Sequence, residues 1–161
     1  METSKKVLEL LDEKEKLFLE YEKETEKMMT NSIEDTDRIV DALEARQDLI
    51  EKIDYIDEDI HIACREDQNG AQILAAAYNR CGYAEVTGSC QEVFEKGQKI
   101  FQVIARIQSM EPQIALNIQE IKEQLQTKIR QNKKEIRFAG YFNHMGTGQS
   151  VTNGFLYDQK R

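Results

Sequence analysis

The sequence contains few of the residues that β-sandwiches and β-barrels depend on. Among its 161 residues there is no tryptophan and only one proline, and aromatic residues make up 7%. Such a composition suits long helices far better than sheets. The length is about that of one domain. We therefore expect an all-α protein with one core.

The amino terminus lacks the features of a targeting or membrane segment. The opening stretch METSKKVLELLDEKEK carries charges throughout and has no apolar run. It has neither the apolar centre of a signal peptide nor a stretch able to span a bilayer. We expect a cytoplasmic protein that does not insert into a membrane.

Cysteine is scarce, and its spacing does not indicate a cross-linked or metal-bound fold. Cys64, Cys81 and Cys90 form an odd set without a C-x-x-C pair, as expected of small buried apolar residues in a reducing compartment. His61 lies three positions before Cys64, so the four residues could in principle form a zinc site. The spacing matches no zinc pattern that we can name, and we expect no metal and no cofactor.

Catalytic constellations are equally hard to find. His144 is the only other histidine and lies in a glycine-rich stretch, where a general base could not be held in place. Asp54, Asp57, Glu58 and Asp59 crowd one helical segment, and such a run is usually the solvated face of an amphipathic helix. No glycine-rich phosphate loop follows a strand. We expect a protein that is not an enzyme.

Charge of both signs is present, but unevenly distributed along the chain. The net charge is −8, and residues 128–161 carry seven basic against two acidic residues, so this segment is +5 and residues 1–127 are −13. An acidic body repels phosphate backbones, and the basic segment lacks interleaved aromatic residues, so we expect no nucleic-acid partner. The cations also suit the end of a helix, where the helix dipole favours them.

Two early segments show apolar residues at helical spacing. Residues 4–29 predict one amphipathic helix, and residues 33–65 keep a 3.6-residue period in a second helix. Thr30, Asn31 and Ser32 mark a turn, and Ser32 followed by Asp35 is typical of a helix start. Because the turn is short and the helices are long, we expect an antiparallel hairpin.

The next segment, residues 66–89, interrupts the periodicity. It opens with the turn signal Glu66-Asp67-Gln68-Asn69-Gly70, continues with a short helix over 71–79 and becomes irregular over 81–88. A final helix is predicted to begin near Ser89, with Glu92 at capping-box spacing. Residues 66–89 are therefore expected to connect the hairpin to the final helix.

The final helix has an unusually regular heptad pattern. Isoleucine or valine recurs every seven residues, at Val93, Ile100, Ile107, Ile114 and Ile121. A second series interleaves with it, at Gly97, Ile104, Glu111, Ile118 and Leu125. Pro112 lies inside this run, but the apolar register is the same before and after it. We expect one kinked helix of about 50 residues, about 70 Å long; two collinear helices, the second capped by Ser109, are the less favoured arrangement.

The chain changes character after Phe138. Glycine, asparagine and serine become frequent and the periodicity is lost, so we expect a helical bundle domain over residues 1–138 and a flexible tail over 139–161. The last helix is predicted to be longer than the hairpin helices, so part of its apolar seam is not needed for the core. An exposed apolar seam of this kind is expected to bind another protein.

Two patterns resemble those of the FlgN/FliT-like flagellar export chaperones, small helical proteins of bacterial type III secretion. The second helix carries LxxRQxLIxxIxxID over residues 43–57. The polar tail contains Gly-Tyr at 140–141 and FLYDxK at 155–160. The resemblance covers the layout of the whole chain, with segment 66–89 unmatched.

The resemblance implies a function in protein export. Members of the family bind secreted hook-associated or filament-cap proteins, keep them unpolymerised and deliver them to the export gate without hydrolysing anything. By analogy, a client helix would lie on the last helix, with the anchors Ile107, Ile114, Ile118, Ile121 and Leu125. Tyr141 is the best positional match for a gate-docking tyrosine, and Tyr157 is the second.

A structural coiled coil is the alternative interpretation. The same heptads could pair with a second copy of the chain to form a homodimer. Gly97, Glu111 and Pro112 interrupt the seam and disfavour an uninterrupted zipper.

Overall fold

A computed structural model of the protein describes residues 2–146, with side chains as far as Tyr141. Within these residues the fold is helical without strands, which confirms the predicted all-α class. The α-helices in chain order are α1 (Glu2–Lys27), α2 (Thr36–Arg65), α3 (Gly70–Ala77) and α4 (Cys90–Gly146). None of the described helices is long and apolar enough to cross a membrane.

The chain divides into two compact units, Met1–Asn117 and Ile118–Arg161. The first contains α1, α2, α3 and the first half of α4. The second contains the rest of α4.

The turn between α1 and α2 is stabilised by hydroxyl groups. Thr30 Oγ1 donates to a carboxylate oxygen of Asp35 at 2.6 Å, and Ser32 Oγ accepts from the amide of Glu34 at 3.4 Å. Ser32 therefore caps a helix, as its position predicts, but the helix is a short 3₁₀ turn, Ile33–Asp35. The α-helix itself begins at Thr36, because the first turn after the cap is tighter than an α-turn.

Polar contacts between α1 and α2 show that they form the predicted antiparallel hairpin. Lys14 Nζ lies 2.7 Å from Asp57 Oδ1, and further along α1 the hydroxyl of Tyr21 accepts from Arg46 Nη2 at 2.5 Å. As the position on α1 rises from 14 to 21, its partner on α2 falls from 57 to 46. The two helices therefore run in opposite directions.

The helix α4 runs parallel to α1 in the first unit. Three residues make polar contacts with α1 in chain order: Ser89, just before α4, with Ser4, and then Lys96 with Asp12 and Arg106 with Glu22. The partners are 84 or 85 residues apart in each case, so both helices advance together. The arrangement of α1, α2 and α4 is therefore up, down and up.

The core of the first unit lies where these three helices meet α3. It contains buried residues from all four helices, among them Val7, Leu11, Ile60, Ile73, Ala76, Val93 and Ile100. Each long helix contributes one apolar stripe at helical spacing and leaves most of its charged residues outside, with Lys14 of α1 as a buried exception. The short helix α3 closes the core at the end where α2 stops and α4 starts.

The backbone of α4 approaches α3 closely at Gly97. A Cβ atom at this position would lie 2.4 Å from the carbonyl oxygen of Ala77, at the end of α3. Asn79, which adopts a left-handed conformation with φ of 51°, donates from Nδ2 to the carbonyl of Phe94 at 3.0 Å. The glycine in the heptad series is therefore required by a contact within the chain.

Glu111 is the other residue that interrupts the second heptad series, and it also has a partner within the first unit. Its Oε1 lies 2.6 Å from Arg46 Nη2, and the guanidinium of Arg46 lies over the ring of Tyr21 at 4.5 Å. Arg46 thus joins α1, α2 and α4. Because Gly97 and Glu111 both serve contacts within the chain, they do not bear on whether it pairs with a second copy.

The helix α4 continues through Pro112 as a single α-helix, which confirms the preference for one helix over two collinear ones. The hydroxyl of Ser109 donates to the carbonyl of Arg106 at 2.6 Å, so it is used inside the helix and does not cap a new one. The helix end predicted near Phe138 is wrong, since α4 runs on to Gly146. A single glycine, Gly140, costs a helix about 1 kcal/mol and does not stop it. The predicted flexibility of the remaining tail concerns residues 147–161, which lie outside the described residues.

Candidate partner-binding surface

The structure separates the five predicted client-binding residues by burial. Ile107 and Ile114 belong to the first unit and are buried, Ile114 with only 2% of its surface exposed. Ile121, in the second unit, is also buried. These three side chains offer no surface to a partner in this conformation, although the client-binding role of all five residues stays a prediction.

The other two predicted residues are accessible. Ile118 is half-buried, and Leu125 has 36% of its surface exposed. Further along α4, Ile129 is 52% exposed and Ile136 is half-buried. At about 100° per residue, these four side chains fall within about 40° of one another around the helix. We call this set, Ile118, Leu125, Ile129 and Ile136, the distal stripe.

Two members of the distal stripe, Ile129 and Ile136, were not predicted from the sequence. The heptad series that leads to Ile121 places Lys128 and Glu135 at the next expected positions. A straight α-helix drifts relative to a strict seven-residue repeat, so the apolar face moves to neighbouring positions. The step of four residues from Leu125 to Ile129 is the signal that could have revealed the continuation.

Lysines border the distal stripe. By the same helical geometry, Lys122, Lys133 and Lys128 lie within about 80° of its centre, and all three are exposed. The nearest acidic residue on the described part of this surface, Glu135, is about 100° away. The surface therefore combines a narrow apolar stripe with a positively charged border.

Of the two predicted gate-docking tyrosines, only Tyr141 lies within the described residues. Tyr141 lies near the end of α4 with 66% of its surface exposed, on a face about 140° from the distal stripe. It is accessible to a partner and separate from the stripe. Tyr157 lies outside the described residues, and both docking roles stay predictions.

The four residues that could in principle form a Cys3His zinc site lie in different environments. Cys64 is buried in the core, and its burial, with the nearby charge of Asp67, raises the pKa of its thiol. His61 is exposed, with its Nδ1 2.7 Å from the carbonyl oxygen of Asp57. Cys81 and Cys90 are half-buried and line a cavity of about 410 Å³. Among residues 2–141, no group of three or more histidine, cysteine, aspartate or glutamate side chains is placed to hold a metal ion.

The acidic run over residues 54–59 is solvated except at Asp57. Asp54, Glu58 and Asp59 are exposed, as predicted for the outer face of a helix. Asp57 turns inward, where its Oδ1 accepts from Lys14 Nζ at 2.7 Å and from the hydroxyl of Tyr78 at 2.6 Å. This carboxylate therefore links α1, α2 and the end of α3, which sequence reasoning missed.

Comparisons with known proteins give no relative for this chain. No protein-family model matches it, and neither the curated proteins nor the solved structures provide a significant match.

Proposed function

We propose that the protein is a cytoplasmic chaperone of the FlgN/FliT-like type, which holds the terminal helix of a secreted hook-associated or filament-cap protein before export. The observation that carries the proposal is the distal stripe, a row of exposed and half-buried leucine and isoleucine side chains on one face of α4. Binding of this kind needs no catalytic group, cofactor or metal.

An apolar stripe on a helix is well suited to bind another amphipathic helix. Side chains spaced three, four or seven residues apart insert between those of a partner helix, and burial of their apolar surface supplies the free energy of association. Such a complex hides the apolar face of the client. A secreted protein that polymerises through an amphipathic terminal helix would remain monomeric while that helix is covered.

Delivery to the export gate requires a second contact that stays free when the client is bound. Tyr141 supports this part of the proposal, because it is exposed and lies on a different face of α4 from the distal stripe. A client on the stripe would leave the tyrosine accessible. Tyr157 is the second candidate for the same role.

The proposal is tested by replacing stripe residues with aspartate and measuring binding to purified hook-associated and filament-cap proteins. Leu125→Asp and Ile129→Asp place a charge in a desolvated interface, so each should weaken binding at least about tenfold. Leu116→Asp is the matched control, since Leu116 is an exposed leucine of α4 that belongs to the first unit and not to the stripe.

Melting temperatures of the three variants should equal that of the wild type, because all three sites are exposed. Equal loss of binding in the Leu116→Asp control, or unchanged binding in both stripe variants, would place the client elsewhere.

Sedimentation of the wild-type protein alone distinguishes the proposed chaperone from the coiled-coil alternative, because it shows whether the protein self-associates. A homodimer that the stripe variants convert to a monomer would mean that the stripe serves self-association.

A further inference from the structure

The charge beside the distal stripe is of one sign. Lys122, Lys128 and Lys133 are the nearest charged residues around the helix, and they lie on both sides of the apolar row. A helix that covers the row brings its own flanking residues next to these lysines, as the residues beside a coiled-coil seam meet across it. Flanking residues of the same sign would be repelled and those of opposite sign attracted.

The width of the stripe favours a helix over a lipid surface as the occupant. The four apolar side chains span about 40° of the helix circumference, whereas a helix that lies in a membrane interface needs a broad apolar face. Charged residues, including Arg130 and Lys134, continue around the rest of the surface. A narrow row of this kind is the geometry of a helix–helix seam.

A second copy of this chain is a poor occupant. If two stripes paired with each other, the lysines of each would face those of the other, which is unfavourable. The acid-rich helix α2 does expose Val40 and Leu43 towards one end and Tyr55 and Ile62 towards the other. About three turns between Leu43 and Tyr55 expose no large apolar side chain, so α2 offers no continuous apolar row to cover the five turns of the stripe.

We propose that the distal stripe binds an amphipathic helix of another protein whose apolar seam is flanked by aspartate and glutamate. The inference rests on the proposed function and specifies the chemistry of the client. From Ile118 to Ile136 the stripe is about 27 Å long, so it accepts about five turns of helix. Asn132 lies beside this row and is exposed, so the partner is expected to place a polar residue opposite it.

Three synthetic peptides of five helical turns test the proposal on the full-length protein. All carry the same leucine and isoleucine seam with one asparagine, and the flanking positions are glutamate in the first, glutamine in the second and lysine in the third. Binding is measured by fluorescence anisotropy. The acidic peptide should bind about tenfold more tightly than the neutral one at low salt, since several exposed ion pairs each add a modest factor. Added salt should reduce the difference.

Charge reversal on the protein provides the matching variants. The double variant Lys128→Glu and Lys133→Glu should lose the preference for the acidic peptide and gain one for the lysine-flanked peptide. Lys134→Glu is the control, because this lysine is exposed on the opposite side of the helix. The melting temperature of each variant should be unchanged, since the substituted side chains are exposed.

The outcomes separate this inference from the proposed function. If the three peptides bind equally and Leu125→Asp abolishes binding of all of them, the stripe holds a helix but does not select acidic flanks. If no peptide binds, or if the lysine-flanked peptide binds best, the inference is overturned. Binding to vesicles of anionic lipid that is lost in the double variant, without peptide binding, would identify a membrane surface as the occupant and overturn it too.

Discussion

The ammonium group of Lys14 lies 2.7 Å from Asp57 Oδ1, and the lysine side chain is only 8% exposed whereas the aspartate is 30% exposed. The same carboxylate oxygen accepts the hydroxyl of Tyr78. A buried cation and a half-buried phenol therefore depend on one carboxylate. Removal of the carboxylate and removal of the ammonium group should consequently destabilise the protein to different extents.

We expect Asp57→Ala to destabilise the protein more than Lys14→Met does. Loss of the carboxylate leaves the buried ammonium unpaired, a cost of about 3 kcal/mol, and also removes the acceptor of Tyr78. Lys14→Met keeps the packing of the side chain and leaves Asp57 partly solvated, so it should cost about 1 kcal/mol. Urea unfolding measures both, with the exposed Asp54→Ala as control. Equal costs for the two variants would contradict this asymmetry.

The environment of Tyr78 predicts a loss of stability at high pH. Burial, and then its hydrogen bond to the carboxylate of Asp57, raise the pKa of the Tyr78 phenol well above its usual value. The folded state holds the proton more tightly than the unfolded state, so this contribution to stability is present below about pH 10 and is lost as the pH rises further. By about pH 11 the stability advantage of the wild type over Tyr78→Phe should fall by up to about 1 kcal/mol.

Urea unfolding of the wild type and Tyr78→Phe at about pH 9 and pH 11 measures this change directly. The comparison cancels the titration of groups that both proteins share. A difference that stays constant over this range would show that the phenol of Tyr78 ionises as readily in the folded protein as in the unfolded chain.

Gly97→Ala should destabilise the protein although alanine is the better helix former. The new methyl group would lie 2.4 Å from the carbonyl oxygen of Ala77, which is backbone and cannot rotate away. Displacing α3 from α4 should cost about 2 kcal/mol net of the gain of about 1 kcal/mol in helix propensity. Gln98→Ala, at the exposed neighbouring position, is the control for propensity alone. A higher melting temperature for Gly97→Ala would show that α3 moves aside easily.

Introducing aspartate should destabilise the protein much more at core positions of α4 than at surface positions. Ile114→Asp buries a charge and removes packing at a side chain that is 2% exposed, so it should cost several kcal/mol and unfold a domain of ordinary stability. Ile118→Asp should be tolerated better because Ile118 is half-buried. Circular dichroism and thermal melts measure both. An unfolded Ile118→Asp variant together with a folded Ile114→Asp variant would reverse the assignment of core and surface.

The helices could be predicted from the sequence because each carries its own apolar period. The short connections were recognisable by their glycine and asparagine, and the unchanged register around Pro112 predicted one helix there. The end of α4 could not be placed, because a lone glycine such as Gly140 resembles the start of a loop but is tolerated within a helix. Local signals of this kind do not say how far a helix continues.

The candidate surface was harder to predict than the fold. Heptad positions identify which side chains share a face, but whether Ile121 or Leu125 is covered depends on tertiary packing that the pattern does not contain. The helix drift that brings Ile129 and Ile136 into line was hidden because Lys128 and Glu135 occupy the expected positions. The inward turn of Asp57 was likewise invisible within an acidic run, since its partners Lys14 and Tyr78 lie on other helices.

The separation of 84 residues between partners on α1 and α4 also has a consequence for biosynthesis. The hairpin of α1 and α2 joins residues across a short turn and can form as soon as Arg65, the last residue of α2, has left the ribosome. Its apolar face for α4 stays uncovered until residues 90–111 have also emerged. During that interval the hairpin lacks the α4 side of the core to which Val7 and Leu11 belong.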